Sequence, residues 1–105
     1  MSESRKYGLP EKDFNVILSL LKSNDKIREI ILFGSRAKGN NANGSDVDLA
    51  IKGDGLNLDD VLDAMVRIED LSIPNKIDLV IYDRISEQKL KDHVDRVGKV
   101  LFKRM

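Results

Sequence analysis

Apolar residues recur along this chain with two different periods, and the changes between them mark out its elements. Phe14, Ile17, Leu18 and Leu21 fall at helical spacing behind Pro10, which suits a helix start, and Ser23-Asn24-Asp25 ends the run. Ile27 to Phe33, IREIILF, reads as a strand. The loop GSRAKGNNANG follows from Gly34, with room for a short helical turn near its start. DVDLAIK, from Asp46 to Lys52, is a second strand, closed by Gly53-Asp54-Gly55. Leu58, Val61, Leu62, Met65, Ile68 and Leu71 form a helical stripe expected to be ordinary core. Pro74-Asn75 breaks that pattern, and KIDLVIYD from Lys76 is a third strand. Ser86 is placed to cap a last helix whose apolar face is Leu90, Val94, Val97 and Leu101.

The order is helix, strand, loop, strand, helix, strand, helix. Two strands joined by a long loop, and a third reached through a helix, predict a small mixed sheet in a single α/β (α+β) domain spanning 1–105. Each helix has one apolar stripe, so the simplest packing puts all three on one face and leaves the other open. The strands alternate accordingly. Val47, Leu49 and Ile51 point one way, and Asp46, Asp48, Ala50 and Lys52 the other. Ile77, Leu79 and Ile81 likewise share a face opposite Asp78, Val80 and Tyr82.

Composition narrows the function. The chain has 105 residues, enough for one core but not for a second substrate-holding domain. Lys plus Arg and Asp plus Glu both total 18, so no basic field draws the chain to nucleic acid or an anionic membrane. The absence of Cys excludes disulfides and thiolate metal sites. The first residues lack the apolar segment of a signal peptide, and no apolar run approaches the ~20 residues needed to cross a bilayer. A cytoplasmic location is expected.

Acidic residues at the head of a strand need a reason, because Asp is depleted in strands. Asp46 and Asp48 are two apart, about 7 Å along the chain, and project to one side. Close carboxylates repel, and a cation between them relieves the repulsion. Carboxylates at this spacing suit hard divalent ions, including a pair about 3.5–4 Å apart. Asp78 lies at the equivalent place in the third strand. If that strand pairs beside the second in register, three carboxylates converge. Upstream, Gly34 lets backbone N–H groups approach a ligand closely, and Ser35 adds a hydroxyl. Arg36 and Lys38 add positive charge, making the turn a candidate phosphate receptor. The P-loop and dinucleotide fingerprints are both absent.

Gly34-Ser35, ten residues, then Asp46-x-Asp48 resembles the G-S-x10-D-x-D signature of the DNA polymerase beta nucleotidyltransferase superfamily. LFGSRAKG and SDVDLAI are similar to its minimal nucleotidyltransferase (MNT) branch of small single domains, and Asp78 in KIDLVI fits the third acidic position. The resemblance implies the nucleotidyltransferase fold with an open active-site face. It implies that Gly34 and Ser35 hold the triphosphate of ATP. It implies that Asp46, Asp48 and Asp78 bind two Mg²⁺ ions, with Asp78 also a general base toward an acceptor hydroxyl. Arg36 and Lys38 are weaker candidates. The branch is commonly partnered with a helical HEPN-domain toxin encoded nearby, the MNT chain acting as antitoxin and some members transferring AMP to a tyrosine of the toxin. This chain lacks the R-x4–6-H ribonuclease motif before His93, so it resembles the antitoxin half. Two alternatives stay open: a non-catalytic antitoxin acting by occlusion, and transfer of AMP to a small molecule.

The remaining chemistry-bearing residues read as structural. His93, the sole histidine, sits beside the apolar stripe of the last helix. Tyr7 and Tyr82 are conceivable self-modification sites, with packing the simpler role for Tyr82. The C-terminal KVLFKRM is expected to fray or to serve as a docking tail.

Overall fold

Four strands form one mixed sheet in the computed structural model, which describes residues 5–39 and 46–104. A short hairpin of β1 (Arg5–Lys6) and β2 (Leu9–Pro10) leads into helix α1 (Glu11–Lys22). Then come β3 (Glu29–Phe33), the one-turn helix α2 (Ser35–Lys38), β4 (Val47–Lys52), α3 (Leu58–Glu69), β5 (Ile77–Ile81), α4 (Gln88–Val97) and β6 (Lys99–Lys103). A 3-10 turn at Tyr82–Arg84 joins β5 to the loop before α4.

The sheet runs β5-β4-β3-β6. β3 is antiparallel to β4 and to β6, whereas β4 and β5, separated in sequence by α3, are parallel. That crossover is what a parallel pair requires. One sheet face carries Ile30, Leu32, Val47, Leu49, Ile51, Ile77, Leu79 and Ile81, and it packs on Phe14, Ile17 and Leu21 of α1 and Ala64 and Ile68 of α3. Full burial of such side chains stabilises the fold by about 1.5–3 kcal/mol each relative to exposure.

Helix α3 is fastened at its start. The Asn57 side chain accepts the Asp60 N–H (3.2 Å), and the Asp60 carboxylate accepts the Asn57 N–H (2.9 Å), a reciprocal capping box. Asp60 also meets Lys26 Nζ at 2.6 Å and accepts from Asn24 Nδ2 at 3.0 Å, tying α3 to the segment that enters β3. These donors hold the Asp60 carboxyl below its ordinary value, the Lys26 hydrogen bond most of all.

The small mixed sheet and its helices agree with the reading of the sequence, and besides the short N-terminal hairpin, which the sequence pattern does not announce, four details differ. First, only α1 and α3 cover the face with the main core. α4 lies across the opposite face, where Val94 packs with Ile31, Phe33 and Ala50, flanked by Val80, Tyr82, Ile85 and Leu90. Two helices already fill the first face, and those apolar residues on the second need covering, so the open face is only partly open. Second, the last helix stops at Val97. Gly98 turns the chain so close to the sheet that a Cβ there would collide with the Val94 carbonyl and the Ile31 side chain. The apparent tail then becomes β6 and pairs with the free edge of β3. Third, Glu87 rather than Ser86 caps α4, its side chain accepting the Lys89 N–H (3.1 Å). Fourth, the apolar stripe of α3 is wider than its contact. Val61, Ala64, Met65 and Ile68 face the core, while Leu58, Leu62 and Val66 form an exposed ridge.

Ile51 is 0% exposed and Leu62 is 53% exposed. Ile51→Ala is therefore expected to lower the unfolding free energy by about 2–5 kcal/mol, and Leu62→Ala by no more than about 0.5 kcal/mol. Urea unfolding followed by circular dichroism measures both, and equal losses would return Leu62 to the core.

Candidate active site

Burying Val47, Leu49 and Ile51 obliges Asp48 to emerge on the other face, and Ile77, Leu79 and Ile81 do the same for Asp78. The parallel register then sets Asp48 directly beside Asp78. Asp46 stands just before β4 and is exposed. On its other side, Asp48 pairs with Phe33, the last residue of β3. Gly34 follows, and there its missing side chain matters. Its φ of 78° and ψ of −160° belong to a region that L side chains avoid, and a Cβ would collide with Asp48 Oδ2. The turn thus passes directly against the central acid. Ser35, half-buried, opens α2.

A cavity of about 460 Å³ sits where these elements meet, lined by Phe33, Gly34, Asp48, Asp78, Leu79, Val80, Leu90 and His93. Its negative charge is undercompensated. The Asp48 carboxyl is raised above its ordinary value, first by loss of solvent and then by repulsion from Asp78 and Asp46, with Lys76 pulling the other way. Lys76 reaches Asp78 at 3.7 Å, but its side chain is 69% exposed, which makes this a weak surface pair.

The donor set fits a hard divalent cation by its chemistry: carboxylate oxygens only, and more negative charge than the nearby cations balance. The carboxylates are neighbours rather than a closed cage. Among the described residues, no three metal-ligating side chains are gathered tightly enough to hold an ion without rotating toward one another.

The other sequence candidates are distributed differently. Arg36 is 2% exposed, and its Nη1 donates to the Tyr7 carbonyl at 2.7 Å, which anchors the N-terminal hairpin onto α2. Burial, and secondarily the charge of Arg5, pull its pKa down. Arg36 is thus a buried tie between elements. Lys38 is exposed at the end of α2. Asn40 to Ser45 of the loop lie outside the described residues. Tyr82 lies on the α4 side of the sheet. Its hydroxyl donates to Asp95 (2.6 Å), an interaction that does most to push the phenol up to about 12. Lys52 and Lys91 stack over its ring, so packing accounts for it.

The residue that sequence reasoning missed is His93. Its Nε2 accepts the Gly34 N–H at 3.1 Å, and its ring meets Phe33 edge-on. A histidine flanking the apolar stripe of a helix is the only local signal for this. Its partner lies 59 residues away, and nothing in the sequence shows that α4 crosses the acidic face.

Comparison with known proteins identifies the family and the fold. Residues 15–105 match the family described as "Polymerase beta, Nucleotidyltransferase". No curated protein matches. Among solved structures, the chain is similar to one of a toxin–antitoxin with AMP-PNP, at 27% identity and TM-score 0.72, covering 85% of this chain and 72% of that one. It is similar to a mutant of the toxin–antitoxin MntA–HpeT, at 27% identity and TM-score 0.70, covering 86% and 72%. It shares the fold of a structure of the tri-AMPylated Shewanella oneidensis HEPN toxin in complex with MNT antitoxin, at 24% identity and TM-score 0.68, covering 89% and 71%. No helix among the described residues is long and apolar enough to cross a membrane. With the Gly-Ser turn, the acid pair and a family match over most of its length, this chain belongs to the polymerase beta nucleotidyltransferase family.

Proposed function

We propose that this chain transfers AMP from ATP to a hydroxyl, a tyrosine of a HEPN-type helical partner, as the antitoxin half of a toxin–antitoxin pair. The observation that carries the proposal is the side-by-side pair Asp48–Asp78, with the Gly34 turn pressed against Asp48. The partner and the donor nucleotide rest on the similarity to structures of toxin–antitoxin pairs, one of them with AMP-PNP.

The roles divide by position. Asp46, Asp48 and Asp78 would hold two Mg²⁺ ions. When bound, such ions neutralise phosphate charge and polarise the α-phosphorus. Gly34 and Ser35 hold the triphosphate, with Lys38 a solvent-side cation near the same turn. Arg36 supports that turn from beneath by fixing α2 to the hairpin. Asp78 takes the proton of the acceptor hydroxyl. The acceptor oxygen then forms its bond to the α-phosphorus as the bond to pyrophosphate breaks. Val80 and Leu90, in the wall of the cavity, exclude water from one side of the reacting groups.

Transfer is tested by incubating the chain and its neighbouring HEPN-type protein with ATP labelled at the α-phosphate and Mg²⁺. Label is expected on the partner, and Asp48→Asn or Asp78→Asn should reduce its rate by at least about a hundredfold. An unlabelled partner that is still neutralised when both acids are replaced would mean occlusion instead. Label on small hydroxyl compounds but not on the partner would redirect the proposal to small-molecule transfer.

The same acid also predicts a stability signature. A carboxyl whose folded pKa is raised disfavours the folded state above that pKa, and the penalty vanishes as pH falls below the ordinary value of 3.8. In EDTA at neutral pH, Asp48→Asn should therefore melt higher than wild type, with the gap closing as pH falls through the carboxylate range. Thermal melts across pH measure this. A lower melting temperature at pH 7 would show that Asp48 is not electrostatically strained.

A further inference from the structure

His93 occupies an unusual place for a residue so far along the chain. Leu90 and Val94 bracket it on α4, and both pack with Ile31, Phe33 and Ala50 on the acidic face. The helix is therefore fixed against the sheet, and the imidazole is fixed with it. Phe33 buttresses the ring at 6.2 Å between centroids, with the planes at 78°. Nε2 is thereby aimed at a single backbone donor, the Gly34 N–H. As an acceptor, Nε2 carries no proton, so the proton of the neutral ring is on Nδ1.

Gly34 is the residue whose conformation needs holding. It sits in a backbone region that most residues avoid, with Asp48 Oδ2 pressed against its Cα on the side where a Cβ would be. A glycine here has many alternatives in solution, because nothing intrinsic restricts it. What restricts it in the fold is the Phe33–Asp48 pairing on one side, the Lys38 N–H on its carbonyl at 3.2 Å, and the His93 acceptor on its own N–H.

We propose that His93 is a positioning residue for the nucleotide site: by accepting the Gly34 N–H it locks the Gly34-Ser35 turn in the conformation that receives the triphosphate. The inference rests on the nucleotidyltransferase reading above. It also assigns the Gly34 amide. That N–H is already engaged by His93, so Gly34 serves the phosphates through its shape and Ser35 supplies the donors. Because this is ground-state organisation, the effect belongs in nucleotide affinity rather than in the chemical step.

Two measurements decide it. In the full-length ¹⁵N-labelled chain, an N–H···N bond transmits a scalar coupling between its two nitrogens. A cross-peak linking Gly34 N and His93 Nε2 is expected, and it should persist when AMP-PNP and Mg²⁺ are added. Absence of the coupling, or its loss on adding AMP-PNP, overturns the proposal, and neither result needs a variant. Then AMP-PNP affinity and ATP kinetics are compared in His93→Leu, which keeps bulk without an acceptor, and His93→Gln, which restores one. His93→Leu should bind AMP-PNP about five- to tenfold more weakly and raise the KM for ATP to match, with kcat within about twofold. His93→Gln should recover most of the loss. A His93→Leu chain that binds like wild type overturns the positioning role and leaves the nucleotidyltransferase reading intact. A wild-type chain that binds no AMP-PNP sinks both together.

Discussion

A strand that buries every second residue has no freedom over where the remaining ones go. Burying Val47, Leu49 and Ile51 beneath α1 and α3 commits Asp48 to the opposite face, and Ile77, Leu79 and Ile81 commit Asp78. A slip of one residue in either strand would put a carboxylate into the main core and expose a row of aliphatics. The cost of that error, several kcal/mol for a buried charge alone, far exceeds the repulsion between two half-solvated acids. Core packing therefore holds the acids together against their own electrostatics. The site is a by-product of the register that the hydrophobic face selects.

The second face of the sheet is where structure and chemistry compete. Ile31, Phe33, Ala50 and Val80 are apolar and need covering, while the role proposed for Asp48 and Asp78 requires that they stay open to a cavity. α4 meets both needs by covering the apolar part and leaving the acidic end as the wall of a cavity. Partial cover has an electrostatic consequence. It strips water from Asp48 enough to raise its pKa, with desolvation ahead of its neighbours' charges as the cause. Full cover would neutralise the acid, and no cover would leave the carboxylates screened and weak as ligands. An intermediate burial is what a cation-holding carboxylate cluster needs.

Most of this was legible in the sequence because it is local or periodic. The period of two in DVDLAIK and IDLVI separates the acids from the core residues, and the parallel crossover through Leu58–Glu69 brings them side by side. The Gly-Ser turn, ten residues and two acids are a pattern within one segment. What escaped was set by long-range competition. Val97 and Leu101 continue the helical spacing of Leu90 and Val94, so periodicity alone extends α4 through a glycine that in fact ends it. The free edge of β3 then claims Lys99–Lys103, because unpaired strand groups are better satisfied by pairing than by fraying. Leu58 and Leu62 fit a helical stripe, but a stripe does not state how wide its partner is. Arg36, beside the phosphate-like turn in sequence, is drawn away by the carbonyl of Tyr7 in a hairpin that no pattern announced.

The charge balance around Asp48 shows why these pieces belong to one site. Lys76 is the only cation in an ion pair with either strand acid among the described residues, and its pair with Asp78 is long and exposed. Such a pair contributes about 0–1 kcal/mol, too little to offset two like-charged neighbours around a partly desolvated carboxylate. His93 does not offset the repulsion as a cation, because its Nε2 accepts the Gly34 N–H and a ring that accepts there is uncharged. The fold could have relieved the repulsion with one neutral residue at position 46, 48 or 78, and it has none. Charge retained at a cost to stability is the mark of a site completed by something else. A divalent cation held by these oxygens would stabilise the folded chain in proportion to its binding. Metal affinity, nucleotide binding and fold stability then become linked through one carboxylate at the start of β4.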